Sequence, residues 1–522
     1  MKRRMRNKWD TIIIGAGMGG LTAAAKLVGA GRRVLLLERN PHPGGTAYVY
    51  NRRGYSFPMG PLGFSHPGRV RSTLGEVNVE DDLPLHRVHY RIRAFDCDVP
   101  LTLPSADVVK ALSERFPSDA EAVERFFQDM KAILSPPSHR ISETDGSAAE
   151  ALHRMSASDY LTRRIRDGRL RRILGSIGTR EPYSGLPLLA AMWNLMTEEG
   201  IWYPESGLRA LAEKLVGAVT GRSNAEKASE AHGEIRLGTE VSHIRVENGK
   251  VMGVALRDGS TIDSSSVISN ADYKTTFLTL LDHKEIPYQW YRAVRQARQT
   301  GSILQVCLGV DKGKVDLSSF LEASRLIYRS REAAQTSEGI DWNAGEIDPV
   351  SLAKEELEIS LWSKEDESLA PEGKAVVVIR TEAEHSHFVR FRVGWRKRTP
   401  GYGAYKTRLG RTLVKEAENL IPGLEDSTQI MDVATPLTFE DQGGRSGGAV
   451  AGWSWDYEDF RDEKPRELIR TPIKGLFMAG YQAFSALFTG GIPTAMESGK
   501  RAAQAALDGA DPVEEILIPG MR

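Results

Sequence analysis

Residues 11–40 read TIIIGAGMGGLTAAAKLVGAGRRVLLLERN, and this stretch decides the fold. Thr11–Ile14 is a short, apolar, β-branched run, as expected for a buried parallel strand. Leu21–Val28 is rich in alanine and leucine, which favour helix, and Gly29 ends it. Val34–Leu37 is a second apolar strand. The stretch therefore predicts the strand, glycine turn, helix and strand of a Rossmann-like α/β fold.

The turn between the first strand and the helix, Gly15–Gly20, fits the pattern G-x-G-x-x-G. Gly15 permits a tight turn, Gly17 leaves room for a pyrophosphate, and Gly20 allows helix and strand to pack closely. The free N–H groups at the helix N-terminus attract phosphate. Glu38 ends the second strand about twenty residues further on, where an acid accepts hydrogen bonds from a ribose. The sequence therefore predicts a bound dinucleotide.

The overall composition excludes several other classes of protein. Lys+Arg and Asp+Glu both number 69, which argues against general nucleic-acid binding. The two cysteines, Cys97 and Cys307, form no C-x-x-C or zinc pattern, and a reducing, cytoplasmic setting follows. No uninterrupted apolar run reaches eighteen residues, so we expect no membrane-spanning helix. The basic tail Lys2–Lys8 nevertheless offers a contact to an anionic membrane surface.

Glu38 is followed within a few residues by Gly44-Gly45. This combination resembles the extended signature of flavoproteins of the amine oxidase and phytoene desaturase type. In that family the Gly-Gly turn runs beside FAD, so the resemblance implies noncovalent FAD rather than NAD. A second G-x-G-x-x-G is absent from the sequence, which argues against a reductase with a separate NAD(P) domain.

Later segments resemble the same family in order along nearly the whole chain. They are the loop Gly54–Pro61, the stretch Gly200–Gly207, the strand end Ile268–Asp272 and the C-terminal pair Gly475–Gly480 and Gly490–Pro493. The carotenoid desaturase, carotenoid isomerase and retinol saturase branch is the most similar. One departure is Tyr481, which stands where many relatives carry an acid.

The resemblance implies a glutathione reductase-type, Rossmann-like FAD-binding domain and a mixed α+β substrate domain. We expect residues 1–75, 206–285 and 431–522 to form the FAD-binding domain. Residues 76–205, mostly helical, and 286–430 would form the substrate domain. The expected cofactor contacts are Gly15, Ala16, Gly17, Gly19, Gly20, Glu38, Arg39, Gly44, Gly45, Thr46, Gly60, Pro61, Val241, Gly480, Gly491 and Ile492. Catalytic residues cannot be named from spacing, since the flavin itself carries the redox chemistry.

The implied activity is dehydrogenation of a lipophilic polyene or isoprenoid by hydride transfer to flavin N5, with quinone or oxygen as the electron acceptor. A saturase or cis–trans isomerase using reduced FAD, a flavin amine oxidase and a FAD-binding scaffold protein are the alternatives. The helix that starts near Gly491 would aim its positive end at the flavin and stabilise the negative charge of the reduced ring. The sequence leaves the oligomeric state open.

Other segments give local predictions. Ser105–Met130 should be two helices separated at Pro117, and Gly410–Leu420 should be a helix. The β-rich runs between Glu234 and Asn270, with turns at Asn248-Gly249 and Asp258-Gly259, indicate a small meander.

Three further segments have residue types that bear on function. Leu186–Met196 is apolar and either lines a lipophilic tunnel or belongs to the core. His385 and His387 have no third metal ligand in view, and we expect no metal site. The glycine-rich segment Gly443–Gly448 lacks G-K-[ST] and is interpreted as a flexible loop near the substrate mouth.

Overall fold

A computed structural model provides the coordinates. It describes residues 9–60, 63–79, 83–94, 96–101, 104–134, 151–176, 184–221, 233–330, 339–454, 467–484 and 490–513. The basic tail Lys2–Lys8, Pro61 and the polar segment Ser135–Ala149 lie outside these ranges.

The strands are β1 Thr11–Ile14, β2 Val34–Leu37, β3 Val49–Arg52, β4 Tyr55–Pro58, β5 Leu85–Val88, β6 Tyr90–Ala94, β7 Cys97–Leu101, β8 Ile201–Pro204, β9 Gly233–Arg236, β10 Val241–Glu247, β11 Lys250–Leu256, β12 Thr261–Asp263, β13 Val267–Ser269, β14 Ser302–Asp311, β15 Arg325–Arg329, β16 Leu357–Leu361, β17 Lys374–Ala383, β18 Arg392–Gly394, β19 Lys397–Arg398, β20 Thr428–Ala434 and β21 Leu476–Met478. The α-helices are α1 Met18–Gly29, α2 Pro67–Glu76, α3 Ser105–Arg115, α4 Ala120–Leu134, α5 Ala157–Arg164, α6 Gly168–Ser176, α7 Leu186–Asn194, α8 Leu208–Thr220, α9 Tyr273–Leu278, α10 Tyr288–Gln296, α11 Pro349–Ala353, α12 His385–Val389, α13 Tyr402–Ala417, α14 Leu424–Ser427, α15 Pro436–Gly443 and α16 Gly491–Asp508.

The first sheet is parallel, with the strand order β21-β13-β1-β2-β9. Every residue of β1, β2, β13 and β21 is buried, which explains their continuous apolar sequences. Helix α1 packs against both α8 and α16. The Rossmann-like α/β fold predicted from residues 11–40 is confirmed.

A second, mixed sheet has the strand order β20-β14-β17-β16-β15-β6-β7. Side chains on its outer face pack with α13 into an apolar cluster that includes Leu304, Val306, Val377 and Ile379. On its inner face, Cys307, Val376 and Val378 of the central strands share a cluster with the parallel sheet. Ile92, Ala94, Cys97, Val99 and Leu101, from β6 and β7, pack instead with α3 to α7. The inner face is therefore covered partly by the nucleotide fold and partly by a helical cluster.

The predicted meander was partly wrong. The antiparallel meander consists of β10, β11 and β12, joined by the predicted turns at Asn248-Gly249 and Asp258-Gly259. The flanking runs at β9 and β13 belong to the parallel sheet, where they pair with β2 and β1. Strand pairing between distant segments leaves no local signal in the sequence, and only the tight turns do.

Helix boundaries were predicted with mixed success. Helices α3 and α4 are separated at Pro117 as expected. The helix predicted at Gly410–Leu420 exists but runs from Tyr402 to Ala417. Gly410 lies inside this helix and does not begin it. An added Cβ there would come within 2.6 Å of Val433 Cγ2, so the glycine allows close packing of the helix against β20.

The division into five alternating domain segments stays a prediction. One cluster of buried side chains joins Ile12 and Leu35 of the parallel sheet with Trp362 and Val376, which the prediction assigned to the other domain. None of the helices in the described part of the chain combines the length and apolar character that crossing a bilayer requires.

Candidate cofactor and active site

The glycine loop joins β1 to α1 at the carboxyl edge of the parallel sheet. Gly15 has φ +94°, a backbone conformation that favours glycine, and its N–H donates to Leu37 O at 2.8 Å. An added Cβ on Gly20 would lie 2.0 Å from Gly15 O, so only glycine permits this contact between helix and loop. At Gly17, the atoms that such a Cβ would meet belong to the Asn270 side chain. Gly17 therefore faces a space that no backbone fills.

The Gly44-Gly45 turn lies directly beside the glycine loop. Gly44 N donates to Ala16 O at 2.8 Å, and Gly44 pairs with Gly17 in a parallel bridge. Both turn glycines have positive φ, +102° and +58°. An added Cβ on Gly45 would be 3.2 Å from Gly17 Cα. The two motifs, separated in sequence, thus form one cradle of bare backbone.

Glu38 is buried, and both carboxylate oxygens contact backbone. Oε2 accepts from Ala16 N and Oε1 from Asn40 N, each at 2.8 Å. These bonds fix the carboxylate against the glycine loop. Each oxygen keeps a further lone pair, which a ribose hydroxyl can use.

Asn270 was missing from the predicted contacts, although it occupies the centre of the cradle. It follows β13, the strand next to β1, so its side chain meets the glycine loop across the carboxyl edge of the sheet. Asn270 Oδ1 is buried and, within the described residues, has no hydrogen-bond partner. A polar residue directly after a buried parallel strand was the signal that identifies this position.

The C-terminal segment completes the cradle. Gly480 N donates to Ser498 Oγ at 2.8 Å, and Asn270 Oδ1 would lie 3.0 Å from a Cβ at Gly480. Helix α16 approaches α1 so closely that a Cβ on Gly499 would be 2.0 Å from Gly19 O. The first turn of α16, with Gly491 and the buried Ile492, therefore lies near the glycine loop.

The remaining predicted contacts surround this centre. A Cβ on Gly60 would lie 2.3 Å from Thr46 O, and Thr46 Oγ1 accepts from Arg445 Nη2 at 3.3 Å. Arg39 donates to Asp441 O at 3.4 Å, and burial lowers the pKa of its guanidinium. Val241 is the first residue of β10. Two residues before it in the chain, Thr239 N donates a hydrogen bond to Glu38 O at 2.8 Å, which places the start of β10 near Glu38. Pro61 lies outside the described residues.

The segment Gly443–Gly448 lies against this site. Ser446 Oγ donates to Asp272 Oδ1 at 2.6 Å, and Arg39 Nη2 is 2.6 Å from the place of a Cβ on Gly444. The segment contains a short 3-10 turn, Ser446–Gly448. These contacts place it beside the predicted cofactor residues.

His385 and His387, at which no metal site was expected, both have protein partners. His385 Nε2 lies 3.0 Å from Glu440 Oε2, and His387 Nε2 lies 2.6 Å from the Tyr405 hydroxyl. Across the described ranges, no cluster of three or more His, Cys, Asp or Glu side chains could hold a metal ion.

The apolar stretch Leu186–Met196 belongs to the core on the side of α7 that faces α4. Leu186, Leu189 and Trp193 are buried in the helical cluster, and Trp193 packs edge-on against Phe127 at 5.1 Å. The helix continues into a π-helical turn, Leu195–Glu199. The tunnel interpretation stays open for the half-buried opposite side of α7.

Sequence reasoning also missed a row of polar side chains on the inner face of the mixed sheet. Gln305, Arg380 and Glu358 are direct cross-strand neighbours, and Arg325 and Tyr90 form the next pair. Burial lowers the pKa of Arg325 to about 10 and raises that of Tyr90 to about 12. Alternation along single strands gives no sign that these five residues meet.

The cradle fits FAD because it combines the bare backbone that a pyrophosphate requires, a buried carboxylate that can accept from a ribose and a helix N-terminus alongside. The sequence profile of flavin containing amine oxidoreductases matches residues 18–384. The fold and site define an FAD-dependent oxidoreductase. The chain belongs to the flavin containing amine oxidoreductase family.

Individual relatives extend over most of the chain. Phytoene desaturase (lycopene-forming) of Pseudescherichia vulneris is 26% identical over 83% of this chain and 86% of its own length. Chloroplastic prolycopene isomerase of Daucus carota is 25% identical over 91% of this chain and 77% of its own length. The crystal structure of an oxidoreductase from Methanosarcina mazei has a TM-score of 0.58 at 16% identity, covering 95% of this chain and 99% of that one. The structural likeness supports the fold.

Proposed function

We propose that the FAD is held, without a covalent bond, by the cradle at the carboxyl edge of the parallel sheet. Bound there, FAD supplies a ring that accepts a hydride from a C–H bond. The N–H groups of the glycine loop bind the pyrophosphate, and Glu38 accepts hydrogen bonds from the ribose. The N-terminus of α16 favours negative charge on the ring. The proposed contacts are Gly15, Ala16, Gly17, Gly19, Gly20, Glu38, Arg39, Gly44, Gly45, Thr46, Gly60, Pro61, Val241, Gly480, Gly491 and Ile492.

The proposed reaction is dehydrogenation of a lipophilic polyene or isoprenoid, with quinone or oxygen as the final electron acceptor. The carrying observation is the match to phytoene desaturase over 83% of this chain. The proposed substrate space lies on the inner face of the mixed sheet, between this sheet, the nucleotide fold and the helical cluster. Carotenoid cis–trans isomerisation or saturation with reduced FAD is the second candidate, because the isomerase of Daucus carota matches 91% of the chain.

Anaerobic titration of the FAD-loaded protein separates these reactions. For a desaturase, addition of 15-cis-phytoene in detergent bleaches the flavin absorbance near 450 nm without any other reductant. An isomerase or saturase leaves oxidised flavin unchanged and converts polyene only after reduction with dithionite. Peroxide release with amines and no response to any polyene would contradict the proposal and favour an amine oxidase. A protein that responds to none of these compounds would be a FAD-binding scaffold.

We also propose that the protein meets its insoluble substrate at a membrane surface, in part through the basic tail Lys2–Lys8. Such a tail is attracted to anionic lipid by roughly 1 kcal/mol per basic residue near the surface. In a flotation assay at low salt, the full chain should rise with phosphatidylserine vesicles, and a chain lacking residues 2–8 should rise less. Equal recovery of both chains in the soluble fraction would contradict this contact.

A further inference from the structure

Arg325 stands out among the buried polar groups that the cofactor site does not use. It lies on β15, a central strand of the mixed sheet, and its side chain is fully buried. Within the described part of the chain, none of its three guanidinium nitrogens makes a well-formed hydrogen bond. The Trp362 ring covers the guanidinium at 4.9 Å from the ring centroid. A buried cation in this condition is destabilising unless an anion compensates it.

The neighbouring charges compensate Arg325 incompletely. Glu358 Oε1 is 3.5 Å from Arg325 Nη1 and also 3.5 Å from Arg380 Nη1, so two guanidinium groups share one carboxylate. Glu365, the next acid, is hydrogen-bonded to His86 Nε2 at 2.5 Å and to Ser324 Oγ. Arg325 is therefore left with one shared carboxylate contact and no well-formed hydrogen bond among the described residues.

The position of Arg325 connects it with the proposed active site. Its cross-strand neighbour Tyr90 packs against both the nucleotide-fold cluster and the helical cluster. Tyr90 therefore lies where these two clusters meet on the inner face of the mixed sheet. The Glu358 side chain keeps 36% exposure although β16 is a central strand, which requires an open space at this place on the inner face. Arg380 Nη2 donates to the backbone oxygen of Gly60 at 2.7 Å, which joins the row to the proposed cofactor loop.

A planar carboxylate matches an arginine in this setting. The guanidinium fork presents parallel N–H donors, and a bidentate pair with a carboxylate is stronger than a neutral hydrogen bond. A hydrocarbon polyene offers nothing to these donors. We propose that Arg325 binds the carboxylate of an acidic isoprenoid or polyene substrate, with Arg380 and Glu358 completing the charge pattern. This inference rests on the proposed function, since it names the polar end of that same substrate.

Equilibrium binding to the FAD-loaded protein tests the proposal without turnover. The probes are geranylgeranoic acid, its methyl ester and geranylgeraniol, and the readout is the change in flavin absorbance between 450 and 500 nm. The parent should bind the acid about tenfold or more tightly than the ester, the range expected for a charge-assisted hydrogen bond. Arg325→Met should reduce the preference to about twofold or less by the same scale. The matched control Arg329→Met, on the same strand and face with its guanidinium on Lys354 O, should keep it.

Equal affinities of the parent for acid and ester, or an unchanged preference in Arg325→Met, would overturn the carboxylate site. If Arg325→Met fails to fold, Arg325→Lys decides, because lysine keeps the charge and loses the fork. It should then bind the acid more weakly while its affinity for the ester is unchanged, and parental binding of the acid would overturn the site. Failure to convert any polyene would contradict the proposed function alone, because the binding preference is measured without catalysis.

Discussion

The two sheets present different chemistry to the space between them. The parallel sheet ends in backbone left bare by Gly17, Gly44 and Gly45. The inner face of the mixed sheet carries the side chains of Arg325 and Arg380 instead. The first region is proposed to hold the cofactor because side chains are missing there, and the second is proposed to hold the substrate because side chains are present. Substitutions that add atoms should therefore damage the first region, and substitutions that remove charge should damage the second.

The largest effect is expected for Gly17→Val. The isopropyl group would fill the pyrophosphate space, while a Cβ at this position meets only the Asn270 side chain, which can move. FAD affinity should fall about a thousandfold or more, equivalent to about 4 kcal/mol, with little loss of folding. The measurement is the ratio of flavin to protein absorbance after gel filtration. Gly68→Val, at a position in α2 with open space around it, is the control and should keep its flavin.

If Gly17→Val retained flavin like the parent, the pyrophosphate would have to bind elsewhere. The proposed difference between the two sheets would then be wrong. Thermal melting of the apo forms checks folding, because a destabilised chain would lose flavin for another reason.

A smaller effect is expected where backbone contact serves packing rather than binding. Gly499→Val would press a side chain into the backbone of Gly19, since a Cβ would lie 2.0 Å from Gly19 O. Overpacking of this kind costs about 1–3 kcal/mol. Apo protein should melt at a lower temperature than the parent, whereas Gln504→Val, at an exposed position of the same helix, should melt near the parent temperature. Unchanged melting of the Gly499 variant would show that α1 and α16 can separate freely.

The smallest effect is expected at the opposite edge of the parallel sheet. The side-chain hydrogen bond from Arg33 holds the pKa of Asp10 below its usual value, and Asp10 Oδ1 is 2.8 Å from Arg33 Nη2. A lowered pKa in the folded state contributes stability above the unfolded value of about 3.9, and this stability is lost as the pH falls through the folded pKa. Both side chains are about one-third or more exposed, so solvent limits the contribution to about 1 kcal/mol or less.

Asp10→Asn should therefore be slightly less stable than the parent at pH 7, and the difference should shrink below about pH 4. Melting temperatures across this range provide the measurement, and FAD binding should not change. Asp508→Asn, at the end of α16, serves as the control for a general loss of charge. A difference that grew toward acid pH would contradict the assigned sign.

The sequence predicted the cofactor half of the molecule better than the other half for a physical reason. The glycine turn, the acidic residue Glu38 and the Gly-Gly pair all lie between Gly15 and Gly45. Each of them is recognised from a short local pattern in the sequence. The charged row on the mixed sheet draws on residues from Tyr90 to Arg380, and cross-strand pairing alone brings them together. Asn270 is intermediate, since its strand and the partner strand β1 were both predicted but their pairing was not.

The same reasoning applies to the strands between β8 and α9. The turns of the meander were correctly placed, because Asn248 and Gly249 can adopt the positive φ values that the turn requires, +51° and +70°. The membership of β9 and β13 in the parallel sheet depends on distant partners, because Gly233 pairs with Val34 and Val267 pairs with Ile12. Pairing over such separations in the chain is nonlocal. Such partners are fixed only by the assembled core.

The strand order β21-β13-β1-β2-β9 also has a consequence for folding during translation. The strand at the centre of the sheet, β1, leaves the ribosome well before its neighbour β13 and the edge strand β21. At about 5–20 residues per second, β21 emerges roughly 10–40 s after β13. During that time the apolar edge of an unfinished sheet is exposed to other chains. The protein should therefore depend on chaperones until β21 has paired with β13, and the proposed FAD cradle is complete only after α16 has also emerged.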